Sequence, residues 1–419
     1  MTARLYFAAI ALFSLSLVAC GPPSEPEPPA DEAPAAAPAP PVDAGARAAE
    51  LAQAFIIADG HVDVPYRIED EWEDVSVATD GGDFDYPRAV AGGLNAPFMS
   101  IYTPASLEAE GGSRELAEKL IDMVNRIVDE SPDKFAIALS PADVQAQFAQ
   151  GLISLPLGME NGSPIEGDLD NVRYFYDRGI RYITLAHSLS NHLSDSSYDD
   201  NKRWGGLSEF GMDVVREMNR LGIIVDVSHI SDEAFWDVME LTDIPVIASH
   251  SSARHFTPGW ERNMSDDMIK RLAEEDGLIM INFGSAFVSE EARQYGSDRG
   301  DAYDAWLEEQ GFEDSDEREE EFHDIYAETH GPYPFATLEQ TLDHFDHVIE
   351  LTGSVDHVGI GSDYDGVGDT LPVGLKDVST YPNLVEGFIK RGYSEDAIRK
   401  ILGANLLRVW REVEAGASE

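Results

Sequence analysis

The stretch FIIADGHVDVP, residues 55–65, begins as a buried strand and ends in a histidine and an aspartate. The apolar run Phe55 to Ala58 has the composition of a strand covered on both faces, as in a parallel sheet. His61 and Asp63 then stand two residues apart, a spacing that puts both side chains on one side of a strand. A strand that keeps its ligand-type residues for its carboxyl end is the unit from which a barrel with a site at one mouth is built.

Seven further apolar runs repeat the pattern: LNAPFMSIY (94–102), GLISLPLGME (151–160), GIRYITLAH (179–187), GIIVDVSH (222–229), IPVIASH (244–250), GLIMINF (277–283) and HVGIGSD (357–363). Segments of helical period separate them. In one, Leu207, Phe210, Val214, Val215, Met218 and Leu221 fall on a single face; in another, Thr337 and Gln340 form a capping box ahead of Leu342, Phe345 and Val348. Eight strand–helix units in order predict an α/β chain folded as a (β/α)8 TIM barrel with a C-terminal helical extension. FAIALS (135–140) is an extra short strand or buried turn between the second and third units, and a doubly wound sheet is the competing architecture. Residues 285–336, with an acidic stretch from Glu308 to Glu328, interrupt the seventh and eighth units and are read as a solvated insertion, or as a lid or dimer contact near the barrel mouth.

The chain of 419 residues is 43% apolar, enough for one large core, and its net charge of −50 repels nucleic acid while attracting metal cations. Residues 1–19 carry one positive charge, Arg4, and an apolar run shorter than the ~20 residues of a spanning helix, so they read as a signal peptide. Leu17-Val18-Ala19-Cys20 resembles a bacterial lipobox, which implies a lipid on Cys20. Gly21 in the next position implies sorting to the outer membrane, facing the periplasm. Cys20 is the only cysteine, which excludes disulfides within the chain. Residues 20–46, rich in Pro and Ala, read as a semi-rigid tether, and the barrel domain as 47–419.

The strand ends carry the chemistry. His61 and Asp63 close the first run, Glu160 the third, His187 the fourth, His229 the fifth, His250 the sixth and Asp363 the eighth. In a barrel these positions converge on one face although they are far apart in sequence. His61 and Asp63 can grip one cation, His229 and His250 a second, and Glu160 can bridge the two; mixed imidazole and carboxylate donors suit zinc. Two metals about 3.5 Å apart can share a hydroxide and clamp a tetrahedral intermediate. None of the chain's lysines lies at these ends, so a carboxylate rather than a carbamylated lysine must bridge. His192, His255 and Asp365 lie in loops beside the site and are read as supporting or structural residues.

DGHVDVP, LGMENG, YITLAHSLSN, GLSEFGMDVVREMNRLGIIVDVSHIS, PVIASHSSAR, ERNMSDD and VGIGSDYDGV resemble, in content and order, the membrane (renal) dipeptidase family of the amidohydrolase superfamily. The resemblance spans about residues 50–415 and includes the C-terminal ANLLRVW. It implies a dipeptidase with two zinc ions per chain: His61, Asp63 and Asp363 around one, His229 and His250 on the other, and Glu160 bridging. It further implies that His187 contacts the scissile carbonyl or the oxyanion, that Arg262 binds the substrate's C-terminal carboxylate, that Asp363 moves the proton, and that the enzyme is a homodimer. Its substrates would be small dipeptides, L-Xaa-L-Xaa and L-Xaa-D-Xaa. Many members have Glu-Gly-Gly where this chain has Glu160-Asn161-Gly162, so Asn161 is expected to narrow the pocket. The alternatives are another amide or lactone hydrolase on the same site, such as an N-acyl-D-amino acid deacylase, and a non-catalytic peptide-binding lipoprotein.

Overall fold

The computed structural model describes residues 43–418; the signal segment, Cys20 and residues 20–42 lie outside them. The described chain opens with the helix Ala44–Ala54, whose N-terminal N–H groups are capped by Asp43, so the tether expected to reach residue 46 gives way to helix three residues earlier. Among the described residues no helix is long and apolar enough to cross a membrane.

All eight expected runs enter one closed barrel. Its strands are β1 (Ile57–Val62), β2 (Leu94–Tyr102), β3 (Leu157–Glu160), β4 (Ile180–Thr184), β5 (Ile224–Asp226), β6 (Ile247–Ala248), β7 (Leu278–Ile281) and β8 (Val358–Ile360). Each pairs in parallel with its sequence neighbours, and β1 pairs with β8 to close the ring. The doubly wound alternative is thereby excluded. One run divides: Ile153–Leu155 pairs with Phe135–Ile137 in a separate two-stranded sheet, and only the part after Pro156, a residue with no N–H for a ladder, continues as β3. FAIALS is therefore a strand, but one outside the barrel.

Serine starts the helices that follow three of the site-bearing loops. Ser208, Ser231 and Ser265 each accept the N–H three residues on, opening the helices Glu209–Leu221, Asp232–Leu241 and Asp266–Glu274. Val214, Val215, Met218 and Leu221 are buried on one face of the first, as the periodicity predicts. The capping box of Thr337 and Gln340 is formed at the start of Leu338–Thr352. Because the strands are short, these loops begin within a few residues of the barrel and hold the polar side chains close over it.

The C-terminal extension is part of the core. Helix Asn405–Gly416 packs Leu406, Val409, Trp410 and Val413 against inward-facing Ala58, Phe98, Ile224 and Leu278, closing the barrel floor. A column of rings rises from it: Trp410 to Phe98 at 5.2 Å, and Phe98 to Tyr182 at 5.3 Å. Gly158 on β3 leaves the room that Tyr182 fills, since a Cβ there would run into the ring. The 285–336 insertion is helical: Glu290–Gln310 and Asp316–His330 share an aromatic seam that includes Tyr295 against Tyr326 and Trp306 against Phe322.

Candidate active site

The expected residues meet at the carboxyl end of the barrel, around Glu160. Glu160 is the last residue of β3, buried, with Ser100 donating to Oε2 at 3.1 Å. That same oxygen lies 3.3 Å from Nε2 of His61. Oε1 faces the other way, 3.1 Å from Nε2 of His229 and 3.4 Å from Nε2 of His250. His61 Nε2 also lies 3.3 Å from Asp63 Oδ2, and the donor atoms of His61, Asp63 and Asp363 lie within 4.8 Å of one another. One carboxylate thus separates a histidine–aspartate–aspartate group from a two-histidine group.

The loops hold these side chains in unusual backbone. His229 and Asp363 have φ of 68° and 63°, a left-handed conformation that costs a non-glycine residue about 1–3 kcal/mol. Such strain persists only where the surroundings fix it. Asp363 is fixed by its N–H to the His61 carbonyl at 3.1 Å and by Asn282 Nδ2, which donates to Oδ2 at 2.7 Å.

The electrostatics fit a cation-binding centre. Burial pushes the carboxyl of Asp363 up to about 7, and the Asp63 carboxylate beside it adds to the effect. Burial also acts on Glu160, but the four surrounding imidazoles outweigh it and hold it well below the usual carboxylate range. Burial, reinforced by the charge of Arg262, keeps His229 and His250 well below the ordinary histidine value. Neutral His229 and His250 beside crowded carboxylates fit a metal-ligand set, whereas His61, buried but facing Tyr182, Asp63 and Glu160, is held well above the ordinary histidine value. Among the described residues His61 Nε2 is buried without a hydrogen-bond partner, and the Nε2 atoms of His229 and His250 lie 2.7 Å apart. A buried polar atom without a partner, such as His61 Nε2, is costly unless something binds it, and nitrogen and oxygen donors in this mixture suit a divalent transition metal.

A cleft of about 530 Å³ opens above Glu160, bounded by Asp63, His187, His229 and Asp363. His187, three residues beyond β4, lies at its edge with Nε2 3.6 Å from Glu160 Oε1. Arg262 is 3% exposed, donating to Ser251 Oγ at 2.7 Å and to the His250 carbonyl at 2.8 Å, and packs over the Phe287 ring. Its Nε is buried and has no partner among the described residues.

Asn161 departs from expectation. Its φ is 77°, and its side chain donates to the Thr103 carbonyl and accepts from Ser163 and Asn191, so it pins a loop and does not narrow the cleft. His192 pairs with Glu108, and His255 stacks on His347; neither borders the cleft. Asp365 does border it, tied to Arg67 at 3.2 Å and accepting the Asp83 N–H, a supporting role as expected. The sequence reading missed the cleft's aromatic wall of Tyr66, Tyr102, Tyr198 and Phe287. The last comes from the insertion, whose first turn therefore borders the site.

Residues 45–419 match the profile of the membrane dipeptidase family, peptidase family M19. The chain belongs to that family. An uncharacterized dipeptidase of Schizosaccharomyces pombe is 32% identical over 376 residues, covering 86% of this chain and 81% of the relative. Among solved structures, the probable dipeptidase PvdM from Pseudomonas aeruginosa superposes with a TM-score of 0.77 at 26% identity, covering 90% of this chain and all of that one (100%). A metallopeptidase from Rhodobacter sphaeroides, liganded with a phosphinate mimic of the dipeptide L-Ala-D-Ala, gives 0.70 at 26% identity, over 86% of this chain and 99% of its own. This membrane dipeptidase family member therefore carries its cluster of histidines and carboxylates on a metallopeptidase barrel.

Proposed function

We propose that the chain is a zinc-dependent dipeptidase that requires a free C-terminus on its substrate. The observation that carries this reading is the division of Glu160: one oxygen faces His61, the other His229 and His250. A carboxylate placed so can join two cations. His61, Asp63 and Asp363 would hold one, His229 and His250 the other. When bound, two such ions supply an activated water and an electrophile for the peptide carbonyl.

The chain's own residues complete the reaction. His187, at the cleft edge, donates to the developing oxyanion. Asp363, with Oδ2 engaged by Asn282, takes the water's proton on Oδ1 and returns it to the leaving amine. Arg262, whose Nε has no partner among the described residues, receives the substrate's carboxylate. The aromatic wall excludes water and accepts a side chain at either position. The L-Ala-D-Ala mimic held by the Rhodobacter sphaeroides relative supports substrates with a D-residue at the C-terminal position.

The test is metal content by elemental analysis beside dipeptide hydrolysis, for wild type and Glu160→Ala. Two zinc per chain with activity lost in the variant is the expected result. One metal or none, with activity unchanged in the variant, would sink the reading. N-blocked substrates cleaved as well as free dipeptides would instead favour a deacylase.

We also propose a lipid on Cys20 and a place on the outer membrane, supported by the lipobox-like Leu17-Val18-Ala19-Cys20 followed by Gly21. Detergent partitioning of Cys20→Ala against wild type tests it; equal partitioning would rule it out.

A further inference from the structure

Asp226, the last residue of β5, is fully buried and pairs with no cationic side chain among the described residues. It is satisfied by four neutral donors instead. The N–H groups of Ser228 and Ser249 reach Oδ1 at 3.0 and 2.9 Å, while the hydroxyls of Thr184 and Ser249 reach Oδ2 at 2.5 and 2.7 Å. Ser249 Oγ has two further contacts: Ser228 Oγ at 3.5 Å, whose own hydroxyl can donate to it, and Nδ1 of His250 at 2.8 Å.

A hydroxyl has a single proton to donate. A buried carboxylate is the stronger acceptor, so the proton of Ser249 goes to Asp226. Oγ can then only accept from His250, which places the imidazole proton on Nδ1 and leaves the lone pair on Nε2. That atom is the one aimed at Glu160 and at Nε2 of His229.

We infer that Asp226 and Ser249 are positioning residues that fix the tautomer and ring orientation of His250, presenting Nε2 to a cation. The chain of contacts runs carboxylate, hydroxyl, imidazole, cation, with the serine inserted where a carboxylate more often touches the histidine directly. The inference rests on the metal-centre reading above, and its test separates the two.

Zinc affinity of the full chain is measured by competition with a chromophoric chelator for wild type, Ser249→Ala, Ser249→Thr, Asp226→Asn and Glu160→Ala. The His250 tautomer is read from imidazole nitrogen shifts in the metal-free protein. Loss of an outer partner of this kind typically weakens metal binding about 10–100-fold. That loss is expected in Ser249→Ala with the melting temperature little changed, and affinity near wild type in Ser249→Thr, which keeps the hydroxyl. Asp226→Asn offers Ser249 an amide N–H, turns the hydroxyl proton toward Nδ1, and should convert His250 to the Nε2–H form. If Glu160→Ala loses zinc while Ser249→Ala binds it as tightly as wild type, the relay is wrong and the metal centre stands. A wild-type His250 protonated on Nε2 would also overturn the relay. Wild type that binds no zinc at all would overturn the metal centre, and the relay with it.

Discussion

A Cβ built on Gly366 would stand 2.5 Å from Oδ1 of Asp363, and closer still to Oδ2 of Asp63. Both atoms are the free ends of side chains, so the fold can yield to a methyl group by moving them. The site cannot if it holds metal as proposed, because those two carboxylates with His61 form a group whose donor atoms could take one cation. Gly366→Ala should therefore fold with a melting temperature near wild type, yet bind metal more weakly by at least the roughly 10–100-fold that loss of a group supporting a ligand costs. Thermal melts beside chelator competition check this; unchanged affinity would show that neither carboxylate is a ligand.

Arg262→Ala should cost kcat/KM on free dipeptides about 2–3 kcal/mol, or roughly 30–150-fold, the loss of a charge-assisted hydrogen bond to the substrate carboxylate. Against C-terminally amidated dipeptides, which lack the carboxylate, the variant and wild type should differ far less. A variant that still prefers the free acid as strongly as wild type would exclude Arg262 from that contact.

Stripping the enzyme with a chelator should abolish activity, and zinc should restore it. Binding to the folded state alone also stabilises by mass action, about 2.7 kcal/mol at a free zinc concentration one hundred times Kd. The melting temperature should rise with zinc in wild type and fail to rise in a His229→Ala, His250→Ala double variant to the same degree. An identical rise in both would place the stabilising zinc elsewhere.

His344 predicts an acid limb of stability. Its Nδ1 accepts the Ala253 N–H at 3.1 Å and its Nε2 lies 3.1 Å from the Val288 carbonyl, so the ring is buried in its neutral form. Burial lowers its pKa from 6.5 to about 4, and the neighbouring His347 and His255 add to the effect. Between those values the unfolded chain binds the proton and the folded chain does not. Stability is thus fully present above pH 6.5 and falls as pH drops toward 4, by about 3 kcal/mol in total. Denaturant unfolding across this range should show a shallower acid slope in His344→Gln than in wild type; parallel slopes would contradict the assignment.

The barrel was legible because parallel strands buried on both faces must be apolar along their length, and the loop after each short strand brings its first polar residues to one mouth. His61, Glu160, His250 and their partners were found by that rule. Pro156 was the overlooked signal in the third run, where a missing N–H hands the ladder from one sheet to another. Asn161 was misread because a side chain's direction depends on its φ, which sequence spacing does not reveal. The wall of Tyr66, Tyr102, Tyr198 and Phe287 has no periodicity: Tyr102 ends β2 and the other three each come from a different connection, so only closure of the barrel makes them neighbours. The helix bearing Trp410 looked like an appendix because its amphipathic face gives no hint that its partner is the inside of a barrel.

That floor helix bears on when the enzyme becomes competent. The ring column from Trp410 through Phe98 ends at Tyr182, whose hydroxyl lies 2.7 Å from Nδ1 of His61. His61 is on the first strand made and Trp410 on a helix made after the eighth, and domains of a growing chain fold as units, N-terminal parts first. The imidazole that begins the proposed ligand set therefore waits for nearly the whole polypeptide before the stack beneath it is complete. A nascent or truncated chain lacking residue 410 would have the strands but an open base, leaving its histidine without firm support, so metal capture and hydrolysis belong to the finished barrel alone.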